Sequence, residues 1–153
     1  MEEGRPSFTA VISAMMRAAH LLFDGEPKIF KDPLALALSG AGTEAALKTS
    51  VDNLGAAIAA RVGSGRAEDA YRYLRAIMTL RSRFTEDELD QAAQRGITQY
   101  VILGAGLDSF AYRRCDSASM LRIFEIDLPA TQLWKRARLR ALSLPEPDNL
   151  TFV

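Results

Sequence analysis

Between residues 7 and 23 the apolar side chains of Phe8, Val11, Ile12, Met15, Met16, Ala19, Leu22 and Phe23 recur at three- and four-residue steps, which predicts one helix with a single apolar face. Ser7, directly after Pro6, is placed to cap it. Gly25 and Pro27 stop this helix, and residues 28–33 read as an extended connection whose Asp32 caps a short helix starting at Pro33. Gly40 and Gly42 end that helix. Residues 45–47, 54–62 and 67–80 continue as helical stretches, parted by polar or glycine-bearing joints such as Gly63-Ser64-Gly65. Thr85, with Glu88 three positions later, fits a capping box at the head of a further helix that Gly96 terminates.

Beyond Gln99 the period changes. Tyr100-Val101-Ile102-Leu103 is a short continuous apolar run closed by Gly104-Ala105-Gly106, as expected of a strand buried on both faces of a parallel sheet. Residues 121–127 form a second strand candidate, residues 129–142 a helix opened by Pro129, and residues 150–153 a β-favouring run that reads as a third strand cut short. Helices alone, followed by strands alternating with helices, predict an all-helical leader over residues 1–84 and the first part of an α/β domain over residues 85–153.

Composition narrows the function. The chain has 153 residues, 48% apolar and 25% charged, which describes about one ordinary globular domain. Nineteen basic and nineteen acidic side chains cancel, so no net field favours nucleic acid or an anionic membrane as partner. The single cysteine, Cys115, and an opening without a basic-then-apolar leader read as cytoplasmic. Charged residues interrupt every apolar run before the roughly 18 to 20 residues that span a bilayer.

Two glycines, Gly104 and Gly106, stand where a strand must turn sharply and admit a ligand close to the backbone, and a second strand ends in an acid, Asp127. Together they outline a nucleotide site, because a carboxylate at a strand tip accepts hydrogen bonds from both ribose hydroxyls. A dinucleotide fingerprint would place a third glycine where Ser109 stands, which argues against NAD. S-adenosylmethionine, lacking a pyrophosphate, fits a strand followed by Gly-x-Gly better.

Arg81-Ser82-Arg83-Phe84, then Val101-Ile102-Leu103-Gly104-Ala105-Gly106-Leu107-Asp108-Ser109, then Phe124-Glu125-Ile126-Asp127-Leu128-Pro129 resemble, in order and spacing, the motifs of the leucine carboxyl methyltransferase family. The likeness is closest to its bacterial branch of S-adenosylmethionine-dependent O-methyltransferases, whose helical leader carries a pattern similar to Arg17-Ala18 and Asp32-Pro33-Leu34-Ala35. The resemblance implies a Rossmann-like class I methyltransferase fold, S-adenosyl-L-methionine as cofactor, and a carboxyl or hydroxyl acceptor. It implies that Arg83 holds the methionine carboxylate, that Gly104 lies against the cofactor and that Asp127 holds the ribose. It places Gly106 and Asp108 in the same cofactor loop, either touching the cofactor or only shaping the loop. The chemistry of each residue type agrees: a guanidinium pairs with a carboxylate through parallel hydrogen bonds, and a bare glycine admits a ligand closely.

The family's members run to nearly twice this length with a seven-stranded sheet. The resemblance therefore implies an amino-terminal half, binding cofactor weakly or not at all, whose first strand offers an open edge for self-association. No residue presents itself as a general base, so the catalytic residue is unknown, and no spacing suggests a metal site. His20 reads as structural and Cys115 as a small packed thiol. Trp134 reads as packing its helix on the sheet, and the run from Lys135 to Arg140 as a solvated helix face. Two alternatives stand: an NAD-dependent oxidoreductase fragment, and a non-catalytic module that pairs with another chain through the open sheet edge.

Overall fold

The computed structural model describes residues 6–114 and 121–153, without the side chains of residues 64–68; Cys115 lies outside the described residues. By its internal contacts the chain forms two compact units. One is Ile12–Phe84; the other joins the start of the chain, up to Val11, to Thr85–Val153.

The helical unit is built from the greater part of α1 (Phe8–Phe23), from α2 (Ala35–Ser39) and α3 (Glu44–Val62), and from the first part of α4 (Ser64–Gln94). The expected cap of α1 is present, with Ser7 Oγ accepting the Ala10 N–H at 3.1 Å. Ala14, Met16, Ala18 and Ala19 form its buried stripe. Helix α2 starts two residues later than expected. Asp32 still organises its approach, since Oδ1 accepts the Leu34 N–H at 3.1 Å and the Asp32 carbonyl accepts the Ala35 N–H.

The two stretches expected at 45–47 and 54–62 are one helix, α3, capped by Thr43 Oγ1 on the Ala46 N–H. The joint at Thr85 is also absent. Helix α4 runs through it for 31 residues, because no glycine or proline lies between Gly65 and Gly96 and the capping-box pair simply lies on its surface. Gly96, at φ 90°, ends α4 by accepting the left-handed turn, and the Ile97 N–H returns to the Ala92 carbonyl.

The second unit holds the sheet. Strands β1 (Gln99–Leu103), β2 (Arg122–Ile126) and β3 (Leu150–Phe152) are parallel in the order β1-β2-β3. A single helical turn, α5 (Phe110–Arg113), and a full helix, α6 (Pro129–Ala141), lie between them in sequence. Ile123 and Glu125 of β2 are buried on one face, together with Thr131, Lys135 and Leu139 of α6 and Phe110 of α5, whose ring meets Tyr100 edge-on at 5.3 Å. Val101 is 50% and Leu103 76% exposed, so β1 is not buried on both faces as its apolar run suggests.

Two readings of α6 also change. The i, i+4, i+8 stripe toward the core is Thr131, Lys135 and Leu139, so Lys135 rather than Trp134 is the residue fully buried there. Trp134 is half-buried with the Arg138 guanidinium stacked 4.5 Å from its ring centroid. The basic run is thus no uniform solvated face. Lys135 pairs with Glu125 at 2.5 Å, and Arg136 and Arg140 both bind Glu146.

No helix among the described residues is long and apolar enough to cross a membrane.

Candidate functional site

The β1–β2 ladder sets Leu103 beside Ile126, so the two strands end together and the residues that follow them are neighbours by construction. After Leu103 the chain turns through Gly104 at φ 65° and Gly106 at φ 56°, left-handed values that side chains disfavour. The Gly104 and Ala105 N–H groups both donate to the Ile126 carbonyl, at 2.8 and 3.1 Å. Asp127 completes the junction. Its Oδ2 accepts the Gly106 N–H at 2.6 Å and its Oδ1 accepts the Leu128 N–H at 2.7 Å, so one carboxylate ties the glycine turn to the head of α6.

The two glycines are not equivalent. A methyl group added at Gly104 would meet nothing within 4 Å, and the residue is exposed, so its bare backbone faces open space. A methyl group at Gly106 would stand 3.1 Å from the Ala10 side chain, so Gly106 is needed both for its conformation and for the close approach of α1. Asp108 shapes the exit: its Oδ1 accepts the Phe110 N–H at 2.8 Å, while its own N–H returns to the Ala105 carbonyl.

The structure thus brings Gly104, Gly106 and Asp127 together. Arg83 lies in the helical unit, exposed on α4. His20 is buried in the same unit. Its Nδ1 lies 2.7 Å from Asp24 Oδ2, and its Nε2 accepts the backbone N–H groups of Ile29 and Phe30, so both ring nitrogens serve the chain turn that follows α1.

Two groups around the turn carry no local sequence signal. Ser109 is buried, and its hydroxyl accepts from Arg113 Nε at 2.7 Å; the same guanidinium binds Glu86 of α4. Glu86 also meets Arg114, whose guanidinium grips both oxygens of Asp90. Burial holds the Glu86 carboxyl above its ordinary range, against the opposing pull of Arg113. The second group is Glu125, two residues before Asp127. It is buried with Lys135, and burial outweighs the lysine so that its carboxyl too sits above its ordinary range.

What this arrangement can do is bind. A half-exposed acceptor-only carboxylate stands at the strand tip, next to a turn with no side chain in the way.

The sequence of residues 10–153 matches the model of the family described as leucine carboxyl methyltransferase. This chain belongs to that family. Its parallel sheet with intervening helices is accordingly consistent with an incomplete Rossmann-like methyltransferase fold. YktD of Bacillus subtilis, named as an S-adenosyl-L-methionine-dependent methyltransferase, is 30% identical over 161 residues, covering all of this chain and 53% of that protein. Relatives with the same kind of name from Streptomyces coelicolor (37% over 132 residues) and Mycobacteroides abscessus (36% over 134 residues) cover 86% and 87% of this chain and 42% and 41% of their own. The family member described here therefore spans about half the length of the curated relatives it matches.

Proposed function

We propose that the chain carries the cofactor-binding part of an S-adenosyl-L-methionine-dependent O-methyltransferase acting in the cytoplasm on a carboxyl or hydroxyl acceptor. Residues 1–84 would form the leader and residues 85–153 the first part of the cofactor domain. The observation that carries this reading is the Asp127 carboxylate, bound to the glycine turn on one side and to α6 on the other. A carboxylate offers about four acceptor positions. Two take backbone N–H groups here, and the other two suit a pair of vicinal sugar hydroxyls. Gly104 leaves space for the ligand to lie against the backbone, Gly106 orients the turn, and Arg83 has the fork geometry to hold an amino-acid carboxylate. When bound, the cofactor supplies a sulfonium methyl group for in-line transfer to an acceptor oxygen. The chain's own residues position it, and a carboxylate acceptor needs no general base.

Against NAD stands the exit of the turn. Ser109 fills the third-glycine position with its hydroxyl committed to Arg113, and α5 is only four residues long, a poor dipole for a pyrophosphate.

Amide NMR titration with S-adenosylhomocysteine tests the proposal. Shifts concentrated at Gly104–Gly106 and Asp127 are expected, with weak affinity. Asp127→Ala should weaken binding by about 1–3 kcal/mol, or about 5- to 150-fold, because sugar hydroxyls lose their acceptor. An unchanged dissociation constant would remove Asp127 from the site.

A second reading concerns association. Among the described residues β1 pairs only with β2, and Val101 and Leu103 are exposed beside its other edge, so self-association through this strand is expected. Sedimentation should show a mass rising with concentration, and Leu103→Lys should hold the chain monomeric. A wild-type chain monomeric at every concentration would end this reading.

A further inference from the structure

The glycine turn is pinned at both ends, and the two pins differ. At its entry the Gly104, Ala105 and Gly106 N–H groups are held by the Ile126 carbonyl and the Asp127 carboxylate, that is, by the last residue of β2 and the one after it. At its exit stands Ser109, whose carbonyl starts α5 and whose hydroxyl accepts from Arg113 Nε at 2.7 Å. A separate nitrogen of the same guanidinium binds Glu86, on the last turns of α4. Ser109, Arg113 and Glu86 all belong to the sheet-bearing unit, and all three are buried or nearly so. A guanidinium is a rigid planar fork, so its two bonds fix the direction from Glu86 to the Ser109 hydroxyl as well as the distance. Glycines make such a restraint necessary. Gly104 and Gly106 have wide intrinsic backbone freedom, and a turn held at its exit by the local Asp108 contacts alone would spread over several conformations that the ligand must then select among.

We infer that Glu86, Arg113 and Ser109 form a positioning relay that holds the glycine turn in the shape an adenosyl ligand requires, although none of the three needs to touch that ligand. The inference rests on the cofactor reading given above. It separates two roles in the loop: Asp127 and Gly104 meet the ligand, while Ser109 keeps their geometry.

Ser109→Ala is the most selective test, because it removes the end of the relay and leaves the Arg113–Glu86 ion pair in place. An ion pair that served stability alone would not register the change. In the ligand-free chain, hydrogen exchange at the Gly106 and Asp108 amides should quicken about tenfold, the value of one hydrogen bond. Exchange at Ile123 and Val153, whose amides donate within the β2–β3 ladder, should stay as in wild type. Affinity for S-adenosylhomocysteine should fall about tenfold in the same variant. Arg113→Lys should reproduce both changes, since one ammonium cannot span Ser109 and Glu86 at once.

No change at the turn amides, or an equal rise at Ile123 and Val153, would overturn the relay. Local loosening with unaltered affinity, in a chain where Asp127→Ala does lower affinity, would overturn its role in binding. A wild-type chain in which the ligand shifts no amide would instead sink the cofactor reading, and the exchange measurements alone would then decide the relay.

Discussion

Glu125→Leu is expected to lower the free energy of unfolding by about 3–5 kcal/mol, because it leaves the Lys135 ammonium fully buried with no counter-charge. Lys135 is 0% and Glu125 1% exposed, so water offers neither group relief. The lysine also lies 5.9 Å from the Phe152 ring centroid, but a ring face is a small substitute for a carboxylate. The double variant Glu125→Leu/Lys135→Met should recover most of the loss, since two apolar side chains of similar volume escape the desolvation penalty altogether. Urea unfolding of the wild type, both single variants and the double variant closes the cycle. If the double variant is no more stable than Glu125→Leu, the loss arises from packing and the ion pair is not its cause.

The same pair sets a pH dependence. Glu125 and Glu86 both hold their protons more tightly in the folded chain than in the unfolded one. Their contribution to stability is therefore complete below the ordinary carboxyl range and is lost as pH rises through the higher folded values. The double variant should show a shallower fall of stability with pH than wild type, with the Glu86 part remaining.

Arg17→Met should cost the helical unit a comparable amount, about 3–5 kcal/mol. Arg17 Nε meets Asp32 Oδ2 at 2.8 Å with the two side chains 7% and 0% exposed, and Asp32 Oδ1 simultaneously holds the Leu34 N–H ahead of α2. Losing the arginine takes the guanidinium away from a buried carboxylate that already organises a chain turn. Arg17→Lys should recover only part, because an ammonium cannot reproduce the directed Nε bond. Far-UV circular dichroism during chemical unfolding reads the change directly, since this unit is helical. A cost below about 1 kcal/mol, the range of an exposed pair, would show that the bridge is not buried in solution.

This bridge also shows what the sequence made legible. Arg17-Ala18 and Asp32-Pro33-Leu34-Ala35 stood out as separate marks of family likeness, but nothing in their spacing tells that one side chain reaches the other. Helix α1, its Ser7 cap, the glycine at the end of α4, the three strands and the pairing of a glycine turn with an acid-ended strand could all be read from periodicity and turn chemistry. These depend on neighbours in sequence.

What escaped reading depends on neighbours in space. Lys135 sits in a run of basic residues that looks solvated, and only the register of α6 against β2 reveals that its position faces Glu125. Ser109 was visible only as a missing glycine; that its hydroxyl holds Arg113 follows from the one-turn helix between them. The continuity of α4 is hidden in the sequence for a different reason, since Thr85 and Glu88 satisfy a helix-start pattern equally well on the surface of a helix already formed. The exposed face of β1 reads as buried because an apolar run records what a strand is suited to meet.

The close approach of Ala10 to Gly106, with the Ser7 N–H bound 3.3 Å away to Thr131 Oγ1 of α6, makes Ser7 and Ala10 a wall of the glycine turn. Trimming the protein from its front, or transplanting residues 85–153 onto another scaffold, would strip that wall away. A transferable module has to carry two stretches far apart in the gene, with alanine at position 10 facing glycine at position 106.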